Sequence, residues 1–219
     1  MPSVTRVARR ERPDKRSQVE QALLEATERL LDRGASFTEL SVEQLAKEAG
    51  IARSTFYVYF VDKGELVRSL ATRVTREMAA ACAKWWEVAD QAIWDDLYDA
   101  MADVLEVYER HRAAFSALVE TSAYDPAVAA LFHDMLKEVI ADSRRGYDRI
   151  KAAGKLNENV TRETAEALSL MVERTCYQLG RHADPARRKA LAQALAHIVW
   201  STVYAPTVAR TRRSERRKK

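Results

Sequence analysis

Apolar side chains recur along this chain at intervals of three and four residues, the spacing that places them on one face of an α-helix. The first such face consists of Val19, Ala22, Leu23, Ala26 and Leu30. Gly34 follows it, at the position of a left-handed C-terminal helix cap. Long alternating runs of β-branched residues are absent, and the 219 residues include only six glycines and five prolines. These features predict an all-α fold.

Helix start and stop signals continue beyond the first helix. Acidic or hydroxyl residues that can cap a helix stand at Asp62, Asp125, Thr161 and Asp184. Prolines directly follow Asp125 and Asp184, as is typical of the first position in a helix. Pro206 stands where the last helix should end. We therefore predict about nine helices.

The segment from Leu40 to Phe60 predicts two short helices. Ser41 and Gln44 have the spacing of a capping box, which marks the start of the first helix, and Gly50 marks its end. The second helix follows at about residues 53–60, although Ala52 is a poor residue for its cap position. Two short helices joined through a glycine turn, after a packing helix, are typical of a helix-turn-helix.

In a helix-turn-helix, the second helix enters the major groove of DNA. Phe56 and Phe60 lie four residues apart and are expected to face the packing helices, which leaves the other side of the helix for DNA. Arginine can contact guanine, and hydroxyl groups and lysine can contact bases or phosphates. The residues that we predict to bind DNA are Ser41, Arg53, Ser54, Thr55, Tyr57, Tyr59 and Lys63.

The stretch "LAKEAGIARSTFYVYFVDKGELV" resembles the DNA-binding signature of the TetR family of bacterial repressors. Ala52 stands where a serine is common in that family. The resemblance implies a homodimer on a palindromic operator in double-stranded DNA. It also implies an N-terminal three-helix DNA-binding domain and a C-terminal helical domain that dimerises and binds a small hydrophobic ligand.

Three later segments, "IWDDLYDAM", "LSLMVERTCYQL" and "HIVWSTVY", are similar to a mycobacterial repressor of the same family. Ser169 and Val172 replace asparagines of that repressor's ligand channel. The ligand-lining residues that this similarity implies are Trp94, Tyr98, Met101, Phe132, Met135, Ser169, Val172, Glu173 and Tyr177. Two alternatives remain open at this stage: the aromatic residues are core, and Glu173 forms a surface pair with Arg174.

The last two predicted helices, 162–180 and 185–204, are the expected dimer interface. Leu191, Leu195 and Ile198 form an apolar stripe on the second of them. A four-helix bundle across a two-fold axis would bury this stripe. Burial within one subunit is the alternative.

The net charge of +4 is unevenly distributed. Residues 1–16 carry +4 and residues 206–219 carry +6, so the intervening chain is acidic. Basic arms commonly contact nucleic acid, although solvated tails have the same composition. We predict disordered arms at 1–16 and 206–219, a DNA-binding domain at 17–62, and a linker helix with the ligand-binding and dimerisation domain at 63–205.

No pattern in the sequence is typical of an enzyme. The four histidines are scattered, Cys82 and Cys176 lack a zinc spacing, and no phosphate-binding loop or nucleophile motif is present. We therefore expect no catalytic activity, no metal and no cofactor. Membrane spans and a secretory signal are also not predicted, which places the protein in the cytoplasm.

These observations predict a DNA-binding transcriptional regulator, specifically a repressor that a small, largely apolar ligand releases from its operator. The alternative is a constitutive or architectural DNA-binding protein without a ligand. A thermal-shift screen with apolar compounds separates the two.

Overall fold

The computed structural model describes residues 15–180 and 182–206. These residues form nine α-helices and one short π-helical segment, which confirms the all-α prediction. The helices are α1 (Lys15–Asp32), α2 (Val42–Glu48), α3 (Arg53–Tyr59), α4 (Lys63–Val88), α5 (Trp94–Arg110), α6 (Arg112–Ser122), α7 (Pro126–Ala152), α8 (Arg162–Thr175) and α9 (Pro185–Val203). Lys15 and Arg16 belong to α1, so the arm predicted at 1–16 overran the helix start. The rest of that arm and residues 207–219 lie outside the described residues.

Local signals set the boundaries of α1, α2 and α3. Gly34 has a φ of 90° and Gly50 a φ of 69°, a region that glycine enters without steric cost. After each glycine the chain bonds back to the helix: Ala35 N–H donates to Leu30 O at 3.2 Å, and Ile51 N–H donates to Ala46 O at 3.0 Å. This pattern closes both helices with the same C-terminal motif. It turns the chain sharply between α2 and α3.

Helix α4 joins the N-terminal helices to the rest of the molecule. Asp62 caps it, because its Oδ1 accepts a hydrogen bond from Glu65 N–H at 2.7 Å. The 26 residues of α4 span about 39 Å at the usual helical rise. Its buried face begins with Leu66 and Leu70, which pack near the helix-turn-helix, and ends with Trp85 in the C-terminal helices.

The C-terminal helices pack around α5, which contacts α4 on one side and α9 on another. Helix α9 is held at its end by Tyr204, whose hydroxyl donates to Ala89 O at 2.8 Å and accepts from Trp85 Nε1 at 3.3 Å. The last residue of α9 also bonds to the α7–α8 connection, where Asn157 N–H donates to Val203 O at 2.9 Å. The end of α9 is therefore tied both to the end of α4 and to the α7–α8 connection.

The helix predicted to run from Thr161 to Gly180 changes form near its end. It is α-helical to Thr175 and π-helical over Cys176–Gly180. Gly180 does not have a positive φ, unlike the terminating glycines Gly34 and Gly50. A Cβ atom there would lie 2.5 Å from Leu105 Cδ2. Gly180 therefore allows the chain to approach α5 closely.

Candidate DNA-binding surface and ligand cavity

The capping box predicted for α2 is present. Ser41 Oγ accepts from Gln44 N–H at 3.1 Å, and Gln44 Oε1 accepts from Ser41 N–H at 2.8 Å. The hydroxyl oxygen of Ser41, predicted to contact DNA, therefore already stabilises the start of α2. Its O–H hydrogen remains able to donate to a phosphate, since a capping oxygen uses only its acceptor capacity.

Helix α3 divides into a buried and an exposed side. Phe56 and Phe60 are fully buried, and their ring centres lie 5.4 Å apart. Arg53, Ser54 and Tyr57 are exposed on the opposite side. The Arg53 guanidinium lies 5.7 Å from the centre of the Tyr57 ring, within cation–π range. This contact holds Arg53 along the exposed side of the helix.

Thr55 and Tyr59 lie at the edges of this exposed side. Both are half-buried, and Tyr59 packs against the core. Tyr59 therefore presents less of its surface to solvent than Tyr57, which is 47% exposed. A phosphate contact from Tyr59 is available only to a group that approaches the edge of α3.

Lys63 occupies the position predicted for a phosphate contact, but its ammonium is engaged within the protein. It donates to Phe37 O at 3.1 Å, Thr38 O at 2.9 Å and Leu40 O at 2.6 Å. These bonds use its three N–H groups. Burial lowers the pKa of Lys63, and the nearby Glu120 carboxylate acts in the opposite direction. A DNA contact by Lys63 would require these bonds to break, so in this conformation it instead anchors the α1–α2 connection.

Val58 was missed by the sequence reasoning, although it belongs to the same exposed side of α3. It is 74% exposed, next to Tyr57 and four residues after Ser54. An apolar side chain in a DNA-facing position can contact the methyl group of thymine. The helical period, applied to the exposed side as well as to the buried one, would have identified it.

The C-terminal helices enclose an apolar cavity of about 80 Å³ between α4, α5, α7 and α8. Five of the residues predicted to contact a ligand lie on its wall: Met101, Met135, Ser169, Val172 and Glu173. Other parts of the wall come from residues that the sequence reasoning did not select, notably Cys82, Trp85, Trp86 and Tyr108. Drug-sized ligands usually occupy about 300–1,000 Å³, so such a ligand requires this cavity to expand.

Four residues predicted to contact a ligand do not line this cavity, and their contact with a ligand stays a prediction. Trp94 packs between α5 and α9, with its ring centre 6.0 Å from that of Trp200. Tyr177 faces a separate depression beside α1 and α6. Tyr98 and Phe132 are half-buried and pack elsewhere around the core. The aromatic stripe of α5 therefore serves the core at Trp94, because that side of the helix faces α9.

The titratable groups around the cavity are affected by its apolar surroundings. Burial raises the pKa of the Cys82 thiol to about 12. Burial also raises the pKa of Tyr108 well above its ordinary value. Both side chains therefore remain neutral near pH 7.

A larger depression of about 850 Å³ lies between α1 and α4, but polar and charged side chains line it and it is open to solvent.

The stripe predicted to form the dimer interface is split by the structure. Leu195 is only 2% exposed within a single subunit, whereas Ile198 is 41% exposed and Leu191 is half-buried. Leu195 therefore belongs to the core and cannot offer surface to a partner, which corrects that prediction. Leu170 and Leu179, in and just after α8, are exposed like Ile198. We refer to these three exposed residues of the last helices, Leu170, Leu179 and Ile198, as the exposed apolar face.

Several polar contacts join the C-terminal helices to the helix-turn-helix. Glu120 Oε2 accepts from Ser36 Oγ at 2.8 Å and from Thr38 N–H at 3.2 Å. Arg112 donates to Asp32 at 2.8 Å. The connection between α1 and α2 is therefore held both by α6 and by Lys63 of α4.

Two further properties concern only the part of the chain that the structure describes. It contains no group of three or more His, Cys, Asp or Glu side chains that could hold a metal ion. None of its helices combines the length and apolar character that crossing a membrane requires.

Comparison with known proteins gives matches to two family profiles. The profile described as "Bacterial regulatory proteins, tetR family" matches residues 23–70, which contain α2 and α3. The profile described as "Transcriptional regulator EthR, C-terminal domain" matches residues 94–205, which run from α5 to the end of α9. The second match alone covers about half of the chain.

Individual proteins are similar over most of the chain. The HTH-type transcriptional regulator EthR of Mycobacterium tuberculosis strain H37Rv is 29% identical over 188 residues, which cover 84% of this chain and 87% of that protein. EthR of Mycolicibacterium smegmatis is 28% identical over 192 residues, with coverage of 84% and 86%. Among solved structures, NalD of Pseudomonas aeruginosa superposes with a TM-score of 0.65 at 16% identity, covering 87% of this chain and 99% of that one.

Proposed function

Because this chain belongs to the TetR family of bacterial transcriptional regulators, we propose that it is a homodimeric repressor of this family. It binds a palindromic operator in double-stranded DNA and is released by a small, largely apolar ligand. Residues 17–62 form the DNA-binding domain, and residues 63–205 form the linker helix with the ligand-binding and dimerisation domain. The protein acts in the cytoplasm.

The observation that carries this proposal is the exposed side of α3. Arg53, Ser54, Tyr57 and Val58 lie there together, while the two phenylalanines hold the other side in the core. Arg53 at the first turn of the helix is suited to a bidentate contact with guanine. The Tyr57 hydroxyl and the Ser54 hydroxyl reach phosphate or a base edge. Thr55, Tyr59 and Ser41 lie at the border of this surface and contact the DNA backbone.

Dimerisation places two copies of α3 in successive major grooves, about 34–36 Å apart. The exposed apolar face supports this arrangement, since Leu170, Leu179 and Ile198 would be buried by a second subunit. Leu191 lies at the edge of the same contact. Leu195 supports the interface indirectly, because it packs α9 onto the core of its own subunit.

Release by a ligand depends on α4. The C-terminal half of this helix lines the cavity, and its first residue, Lys63, bonds to the connection that leads into the helix-turn-helix. A ligand that expands the cavity displaces α4 relative to α6. The contacts of Lys63 and Glu120 with residues 36–40 transmit this displacement to α2 and α3. The ligand needs only to bind better to a conformer whose recognition helices miss the half-site spacing.

The first test selects genomic DNA fragments with the full-length protein and then measures variant affinities for the selected operator. Arg53→Ala should cost about 1–3 kcal/mol and relax the preference at one base position. Tyr57→Phe should weaken binding to all sequences to a similar extent. Lys137→Ala, which removes a positive charge from the distant helix α7, is the matched control and should have little effect. Unchanged binding of both α3 variants would overturn the assignment of this helix.

A further inference from the structure

Among the described residues that line the apolar cavity, Glu173 on α8 is the one with an acidic side chain. Two other polar side chains on the wall, those of Ser169 and Cys82, do not require a charged ligand. Ser169 Oγ lies 3.3 Å from Ser143 Oγ, and Ser143 donates to Val139 O at 3.0 Å. The thiol of Cys82 stays protonated. Glu173 is thus the acidic group that remains to be explained.

Glu173 is half-buried, and no donor among residues 15–180 and 182–206 hydrogen-bonds to its carboxylate. Arg174 lies next in the chain and attracts the Glu173 carboxylate at longer range, but the Arg174 side chain is exposed to solvent. No other nearby group in the described part of the chain supplies a positive charge to balance the Glu173 carboxylate. Asp142, which adds negative charge near Cys82, is itself paired with Arg145.

Aromatic and sulfur-containing residues line the same cavity as Glu173. Trp85, Trp86 and Tyr108 present rings to the cavity, and Met78, Met101 and Met135 present thioethers. Ring faces attract organic cations, and a nearby carboxylate strengthens that attraction where water is excluded. Thioethers adapt to an apolar body of irregular shape.

We infer that the ligand is an organic cation, a protonated amine or a quaternary ammonium with an apolar body, whose charge lies between Glu173 and the indole of Trp85 or Trp86. This rests on the ligand-gated function proposed above and specifies its ligand. An anion would be repelled by Glu173. A neutral apolar molecule would leave the carboxylate without a partner in a site from which water has been expelled.

The size of the cavity determines how such a ligand fits. About 80 Å³ accommodates an ammonium head group but not an alkyl chain. Trp86 limits the space: its ring centre lies 4.0 Å from that of Trp85, and a Cβ atom on Gly146 would lie 2.1 Å from its Cε3. The half-buried Trp86 ring therefore packs directly on α7 at Gly146, where any larger residue would clash with it. A longer ligand enters by moving the Trp86 ring away from Gly146.

The test compares three probes of equal chain length that differ in charge: octylammonium, 1-octanol and octanoate. Binding to the full-length protein is measured by isothermal titration calorimetry and by the change in melting temperature. Octylammonium should bind at least tenfold more tightly than octanol, and octanoate should bind most weakly. Octylammonium should also weaken operator binding.

Glu173→Gln should abolish the preference for octylammonium while octanol binds as well as before, which also shows that the variant is folded. Glu138→Gln, which removes the same charge from an exposed position on α7, is the matched control and should retain the preference. Equal binding of octylammonium and octanol to the wild-type protein would overturn the inference and leave gating by an apolar ligand intact. Binding of none of the three probes would overturn both.

Discussion

At the scale of single residues, Glu173 illustrates how a ligand site affects stability. Burial raises the pKa of its carboxyl group above the ordinary value of 4.5, an effect that the charge of Arg174 only partly offsets. The folded protein therefore binds a proton at this site more readily than the unfolded chain does. The free energy of unfolding falls as pH rises through the interval between the two pKa values, and the loss is complete above the folded pKa.

Glu173→Gln should accordingly raise the melting temperature of the ligand-free protein at about pH 8, because it removes a desolvated charge. The gain should shrink as the pH falls and disappear below the ordinary pKa of 4.5, where the carboxyl group is neutral in both states. Melting curves of the two proteins across this pH range provide the measurement. A destabilised variant at high pH would indicate that the carboxylate has a donor in the free protein.

The residue roles that could be predicted from the sequence are those set by a single helix. The division of α3 into buried Phe56 and Phe60 and exposed Arg53 and Tyr57 needs only the helical period. The cavity wall depends on how several helices are rotated relative to each other. For that reason Trp94, on an apolar stripe of α5, was predicted for the cavity but faces α9, while Trp86 was overlooked.

At the scale of elements, local capping accounts for most of the helix boundaries that the sequence predicted. Asp62, Asp125 and Asp184 each accept hydrogen bonds from the first turn of their helix. The boundary between α5 and α6 was not predicted, because no glycine or proline marks it. There the chain turns at His111, whose Nε2 lies 2.8 Å from Glu77 Oε2 of α4, a tertiary contact that no local pattern reveals.

Helix α3 lacks the capping bond that the other short helix has. Ala52 is at its cap position and is exposed, and no side-chain oxygen bonds to the first turn. Ala52→Ser should therefore stabilise the protein by about 0.5–2 kcal/mol. Chemical denaturation gives the free energy of unfolding, and Ser54→Ala, on the exposed side of the same helix, is a suitable comparison. No gain from Ala52→Ser would mean that water already hydrogen-bonds to the free N–H groups in the first turn of α3.

Helix α9 is apolar on two sides, and this explains why the dimer stripe was misassigned. Ile198→Glu should leave each subunit folded, because the side chain is already 41% exposed, but should prevent dimerisation. Leu195→Glu places an unpaired charge in the core and should cost about 3–5 kcal/mol of subunit stability. Analytical ultracentrifugation and thermal melting distinguish the two outcomes. A dimer that survives Ile198→Glu would locate the interface away from the exposed apolar face.

At the scale of the whole molecule, the contacts around residues 36–40 hold the helix-turn-helix against the C-terminal helices. Glu120 of α6 accepts from Ser36 and Thr38, and Lys63 of α4 donates to Phe37, Thr38 and Leu40. One negative and one positive side chain thus hold the same short connection. Because this connection leads directly into α2, its position sets the orientation of α3.

Glu120→Gln should weaken this link, since a neutral amide oxygen accepts less strongly than a carboxylate and no longer offsets the burial of Lys63. Ligand and operator should each still bind, but the factor by which one weakens the other should fall by roughly 2- to 30-fold, the range of a 0.5–2 kcal/mol change in coupling. Thermodynamic linkage requires the same factor whether operator affinity is measured with and without octylammonium, or octylammonium affinity with and without operator. Both measurements are therefore needed, with Glu138→Gln as the control that should keep the wild-type factor. If Glu120→Gln kept it as well, the contacts of Glu120 with residues 36–38 would carry none of the coupling, and ligand binding would reach α3 by another route.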